Sequence, residues 1–212
     1  MRVVWLLCVA TLAGCSRSDA DRVSRVENNA EGQGASGLNT ADGNAQERVT
    51  IVKGESPSDA QRATMLAAKD ALFTQLSGKL MDAMSTGGPA AAISVCKVQA
   101  PEIAKRVSEE HGLTIGRTGV RLRNQSNVAP EWASEMVEAK VTEPSFVMLS
   151  DSKAAALLPI KLQAQCVMCH GLEDQITPDV KKQLTELYPE DRATGFKEGD
   201  LRGWFWIELA GG

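Results

Sequence analysis

The pentapeptide Cys166-Val167-Met168-Cys169-His170 constrains this chain more than any other stretch. C-x-x-C-H is the spacing that attaches c-type haem. The two thiols add across the porphyrin vinyl groups, and the adjacent imidazole reaches back to one axial face of the iron. One spacing thus fixes a cofactor (one covalent haem c per chain), a linkage and a metal ligand, and the fold has to be built around them. Two other uses of such a motif fit less well. A thioredoxin-like C-x-x-C opens a helix just after a strand in a βαβ pattern, and no such pattern leads into Cys166. A zinc site needs two further ligands, for which only Cys96 and His111 remain.

The N-terminus agrees with this chemistry. Residues 1–14 carry a basic start at Arg2, an apolar run from Val3 to Leu12 and a small-residue end, the layout of an export signal. The run is too short to span a bilayer. Leu12-Ala13-Gly14-Cys15 resembles the lipobox of bacterial lipoproteins, which implies cleavage before Cys15 and a lipid on its thiol. Ser16, not Asp, follows it, which by that family's rule implies sorting to the outer membrane, facing the periplasm of a Gram-negative bacterium. Haem c is attached outside the bacterial cytoplasm, so signal and motif name one compartment.

Cysteine arithmetic then closes. Cys8 leaves with the signal, Cys15 takes lipid, and Cys166 and Cys169 take haem. Cys96 is left. A single thiol in an oxidising compartment is either buried or has a task.

Residues 15–53 are rich in Ser, Asp, Asn, Gly and Glu and have no helical or strand period. They read as a lipidated cysteine followed by a disordered tether. Residues 54–212 remain, enough for one domain with a sizeable core. The net charge of −4 with no basic block excludes nucleic acid as a partner.

Within that domain, Ser56-Pro57-Ser58-Asp59 opens a long helix. Gly87-Gly88 stops it and Pro89 starts a second one. Pro101 predicts a kink or break in the second helix, and Gly112 ends it. Leu113–Gly116 and Val120–Arg123 read as two short strands, Pro130 to Ala139 as a helix and Ser145–Leu149 as a strand. Ala154–Ile160 fits either strand or helix. The motif sits on a helical turn, Thr177-Pro178-Asp179 caps a helix to about Tyr188, and Leu201–Leu209 is a final strand. Alternation on that strand puts Trp204 and Trp206 on one face and Phe205 on the other.

His170 covers one face of the iron, and the spacing leaves the other face open among several residues. Met65, Met81, Met84, Met136 and Met148 fit core stripes, where Met is a common gap-filler. His111 stands at a helix end, where the dipole favours an imidazole. Cys96 lies on an Ala-rich helix that could pack flat on a porphyrin, or it is a small buried hydrophobe. Arg121 and Arg123 alternate along the expected strand, with Arg117 before them. They are candidates to hold the haem propionates, against a plain solvated strand face.

Several segments together resemble one family. They are Ala92-Ile93-Ser94-Val95-Cys96 with Ala100-Pro101-Glu102-Ile103-Ala104, then Gly116 to Asn124, Leu158-Pro159-Ile160 ahead of the motif, and Gly195 to Gly203. Their order is similar to that of the Tll-like c-type haem domain family. The resemblance implies a PAS-like α/β (α+β) fold, with long N-terminal helices on a small antiparallel sheet. It also implies that Cys96 is the axial ligand opposite His170. The chain departs from the family at Gly119, where Ser is expected, and at Gln125-Ser126-Asn127, where Pro-Ala-Asn is expected.

The expected function is that of a non-catalytic haem lipoprotein. It would be held at the membrane by lipid and would serve redox or gas sensing, or electron transfer, with an unidentified redox or signalling protein. The alternative is a small peroxidase-like enzyme with an open distal site, for which His111 is the remaining imidazole able to act as acid and base. A third reading is a structural lipoprotein whose haem is incidental.

Overall fold

The computed structural model describes residues 48–211. The expected signal peptide, Cys8, Cys15 and most of the expected tether lie outside the described residues. The folded unit begins earlier than residue 54. Strand β1 (Ile51–Val52) pairs with a later strand, and Val49 and Ile51 pack against a core. The expected boundary between tether and domain therefore falls inside the sheet, because a two-residue edge strand carries too little pattern to read.

Helix α1 (Asp59–His111) starts at Ser58. Its hydroxyl accepts from the Gln61 backbone N–H, while Gln61 Oε1 accepts from the Ser58 N–H, a reciprocal cap that satisfies two orphan donors. One residue inside α1 leaves helical geometry. Gly88 stands at φ 76°, ψ −179°, a region open essentially to glycine alone. The break turns α1 into two arms that fold back on each other. Arg106 on the second arm donates to Gln75 Oε1 on the first. Met65, Leu72 and Leu76 share one core with Val95, Ile103 and Val107.

The stop at Gly87-Gly88 and the restart at Pro89 thus match expectation, but no break follows at Pro101, where the backbone stays helical. Pro removes one N–H from the ladder. Ala100 and Ile103 beside it are buried, and packing of that face outweighs the missing bond. Gly112, at φ 64°, ends the helix in the left-handed conformation.

Five antiparallel strands form one sheet in the order β1-β3-β4-β5-β2. These are β2 (Leu113–Gly119), β3 (Ser145–Leu149), β4 (Ala154–Lys161) and β5 (Leu201–Leu209). The segment that fitted either state, Ala154–Ile160, is strand. Pro159 is tolerated within it because β4 has there run past the end of β3, whose last pair is Ser145 with Leu157.

The two strands expected between 113 and 123 are one strand that ends at Gly119. Val120 makes a last backbone bond to the Arg202 carbonyl. The Arg202 guanidinium then takes the Arg121 carbonyl, so the chain peels away. Arg121 and Arg123 therefore do not share a strand face.

One face of the sheet (Ile115, Ala156, Leu158, Phe205, Ile207) packs on α1. The other (Ala155, Leu157, Trp204) packs on Trp132 and the short helix α2 (Ser134–Glu138). The alternation read in β5 holds, with Phe205 and Trp204 in different cores. The single-turn helix α3 (Val167–His170) carries the motif, and α4 (Pro178–Leu187) lays Val180 and Leu184 on Ile93 of α1. The expected α+β architecture, helices on a small antiparallel sheet, is the one found.

A Cβ at Gly203 would collide with the Thr118 carbonyl oxygen and lie 2.7 Å from Gly119 Cα. Both obstacles are backbone and cannot rotate away. Gly203→Ala is expected to pry β2 from β5 at a cost of about 3 kcal/mol. It should lower the urea midpoint with the slope unchanged.

Candidate functional site

After β4 the chain tightens into a turn over Ala164–Cys166 and then α3, so both motif thiols and the imidazole ride on one compact helical segment. They open into a cleft of about 830 Å³, mouth included. The first arm of α1 supplies one wall (Phe73, Leu76, Leu80, Met81, Met84). The second supplies Ala92, Ile93 and Cys96, and the third side holds Cys166, Cys169, His170 and Arg123. The bend at Gly88 is what turns both arms toward one space. Phe73 and Met81 remain 43 % and 53 % exposed, an apolar rim that a flat hydrophobic ligand would cover.

The structure brings together Cys96, Cys166, Cys169, His170 and Arg123, which the sequence had singled out from separate segments. His111 stands at the C-terminal end of α1 and does not line the cleft. Of the five methionines assigned to core stripes, Met65 is fully buried, while Met81 and Met84 line the cleft instead. The helical stripe is the same in both cases, but Met81 and Met84 turn toward the cleft while Leu80 and Ala83 beside them still pack on the core.

Charge around the site is dominated by arginine. Burial pushes the Cys96 thiol pKa up, and the guanidiniums of Arg117, Arg123 and Arg202 pull it back. Burial also raises Cys169, opposed by Arg123. Arg117 lies on the α1 face of β2. Burial lowers its pKa, opposed chiefly by Cys96. Among the described residues its guanidinium makes no hydrogen bond or ion pair. A half-buried cation of this kind favours negative charge nearby. Arg202 is brought down to about 10, by burial first and then by the charge of Arg123. Arg121 points outward, its guanidinium 4.0 Å from the Phe196 ring centroid. Phe196 in turn packs with Leu162, Ala193 and Cys166 under the motif.

His170 is held well below its usual pKa by burial, then by Arg123 and Arg202, against the raising effect of the hydrogen bond it donates to the Ala193 carbonyl. Its Nδ1 lies 2.6 Å from the Ala193 carbonyl oxygen. A carbonyl can only accept, so Nδ1 carries the proton and Nε2 keeps a free lone pair, the form that binds a metal. The donor set therefore fits an iron porphyrin. It comprises two motif thiols and one imidazole with a free nitrogen on α3, one half-buried thiol on α1 and apolar walls.

Three residues the sequence did not single out complete the site: Asp191, Ala193 and Phe196. Asp191 Oδ1 accepts from the Ala193 N–H, an Asx turn. An Asp two residues before a small residue after Pro189-Glu190 was the available signal.

A family model described as Tll0287-like matches residues 35–210. No curated protein matches. The fold is similar to that in "Crystal structure of the cyanobacterial heme-protein Tll0287". The TM-score is 0.55 and the identity 20 %, covering 72 % of this chain and 96 % of that one. At that identity the likeness speaks for the fold, and it agrees with the PAS-like α+β expectation.

Proposed function

The chain belongs to the Tll0287-like family, and from that premise we propose that it is a haem-binding protein carrying one haem c. In this reading the porphyrin is bonded through Cys166 and Cys169 and lies in the cleft, with His170 and Cys96 on the two iron faces. The observation that carries it is the convergence of these four side chains, from a helical hairpin and the short helical segment ending in α3, on one apolar cleft. When bound, the haem supplies a one-electron iron centre.

The chain's own residues set its character. Cys96 brings a negative sulfur, which favours ferric iron and a low reduction potential. Arg117, Arg123 and Arg202 offset that charge in a buried setting. The propionates are assigned to the arginines around the motif, Arg117 and Arg121, with Arg202 beside them, since the Arg123 guanidinium is engaged by Asp191 and the Cys169 carbonyl.

The reading is non-catalytic. The imidazole and the thiols in the cleft are all assigned as iron ligands or haem attachments, and His111, the acid-base residue a peroxidase-like enzyme would have used, lies elsewhere. Electron transfer or redox or gas sensing, with an unidentified protein partner, remains as the task. The export signal and lipobox support an outer-membrane lipoprotein facing the periplasm, anchored through Cys15.

The test is to express the full chain with haem-maturation machinery. Coloured protein is expected, with haem retained through denaturing electrophoresis, Cys166 and Cys169 protected from alkylation, and a lipid label lost in Cys15→Ser. Colourless protein with both late thiols alkylated would overturn the haem reading.

A further inference from the structure

Arg123 is 8 % exposed, and its guanidinium is already engaged in this structure. Nε donates to Asp191 Oδ2 at 3.0 Å, and Nη2 donates to the Cys169 backbone carbonyl at 2.6 Å. The second contact satisfies one of the carbonyls that a one-turn helix leaves without an intrahelical partner. The first fixes Asp191, whose other oxygen takes the Ala193 N–H at 2.8 Å. The Ala193 carbonyl then meets His170 Nδ1.

Three backbone bonds tie the same segment down. Arg192 N donates to the Leu122 carbonyl, Gly195 N to Gly171 and Phe196 N to His170. Residues 191–196 thus form a strap across the motif, and Arg123 grips strap and motif at once. Both partners of the ion pair have side chains less than a tenth exposed. Burying such a pair gains little stability by itself, because desolvation consumes most of the attraction. A geometric role explains it better.

We propose that Arg123 and Asp191 are positioning residues for His170: their ion pair clamps the strap so that the Ala193 carbonyl holds the imidazole with Nε2 turned into the cleft. This rests on the haem reading above. Partners of this kind fix the tautomer and ring angle of a ligating histidine and raise its basicity, and their loss typically weakens the ligand by about 10–100-fold. Arg123 then serves the iron through His170, and not chiefly through a propionate.

The experiment uses matured holoprotein of wild type, Asp191→Asn, Arg123→Gln and Arg123→Lys. Covalent haem content is measured first. Wild type without haem would sink the haem reading and the clamp with it. Haem-bearing variants test the clamp alone. Asp191→Asn and Arg123→Gln are expected to keep both thioether links, gain a high-spin fraction and favour the ferric state about tenfold less. That tenfold is a rise in potential of about 59 mV for one electron. Arg123→Lys keeps the charge on Asp191 and is expected to recover most of that rise. A role in stability only would lower the melting temperature of the variants and leave the potential unmoved.

Wild-type potential and spin state in both Asp191→Asn and Arg123→Gln would overturn the proposal. If those variants do not mature, proton exchange at His170 Nδ1 in the wild-type holoprotein decides. Slow exchange supports the clamp, and exchange as fast as that of a solvent-facing imidazole refutes it.

Discussion

Cys96→Ala is expected to yield a holoprotein that keeps both thioether links but loses its low-spin ferric thiolate signature in absorption and paramagnetic resonance. The substitution is mild for the fold. Ala is the best helix former, the position lies within helical backbone, and Ala92 and Ala100 nearby are already buried. Under the proposed ligation the effect therefore falls on the iron. Without the sulfur's negative charge the ferric state loses its preferential stabilisation, and the potential rises. The cleft itself supplies the competing outcome, since Met81 and Met84 line it as well. A wild-type spectrum of the methionine-ligated kind, or a variant spectrum indistinguishable from wild type, would remove Cys96 from the coordination sphere.

Trp204→Ala is expected to cost about 3–5 kcal/mol, out of a total stability that for a domain is commonly ~5–15 kcal/mol. Trp204 is 0 % exposed and sits on β5 between Thr118 and Pro159. Its indole Nε1 donates to the Val141 carbonyl at 2.8 Å. Truncation leaves a cavity and strips that carbonyl of its partner. The indole faces the core opposite α1, so the folded fraction should keep its haem spectrum while the urea midpoint collapses. A loss under about 1 kcal/mol would mean that the second core is not fixed by this side chain.

What the sequence made legible, and what it hid, divides along physical lines. The motif is local. Its chemistry depends on five consecutive residues, so Cys166, Cys169 and His170 could be read without any fold. The hairpin of helices was also legible, because Gly87-Gly88-Pro89 encodes a stop and a start in three residues. Pro101 misled because propensity counts the missing N–H and not the burial of Ala100 and Ile103 around it.

The arginines misled for a different reason. Alternation at 121 and 123 looks the same whether a strand continues or has left its partner. Only the pairing of Gly119 with Gly203 shows where β2 ends. Asp191 and Ala193 lay beyond reach because their roles come from contacts with residues far away in sequence, Arg123 and His170. The cleft-facing methionines carry the same lesson. Period gives the stripe, and only the neighbouring elements tell what the stripe faces.

Gly88 carries a consequence for the molecule's dimensions. A helix of 53 residues without a bend would be a rod of ~80 Å, several times the width of the sheet it rests on. One hydrogen in place of a methyl group permits the reversal. Any L-amino acid at this site would trade that reversal against torsional strain, even though open space surrounds the position. The two walls of the slot thus owe their mutual approach to a single achiral carbon.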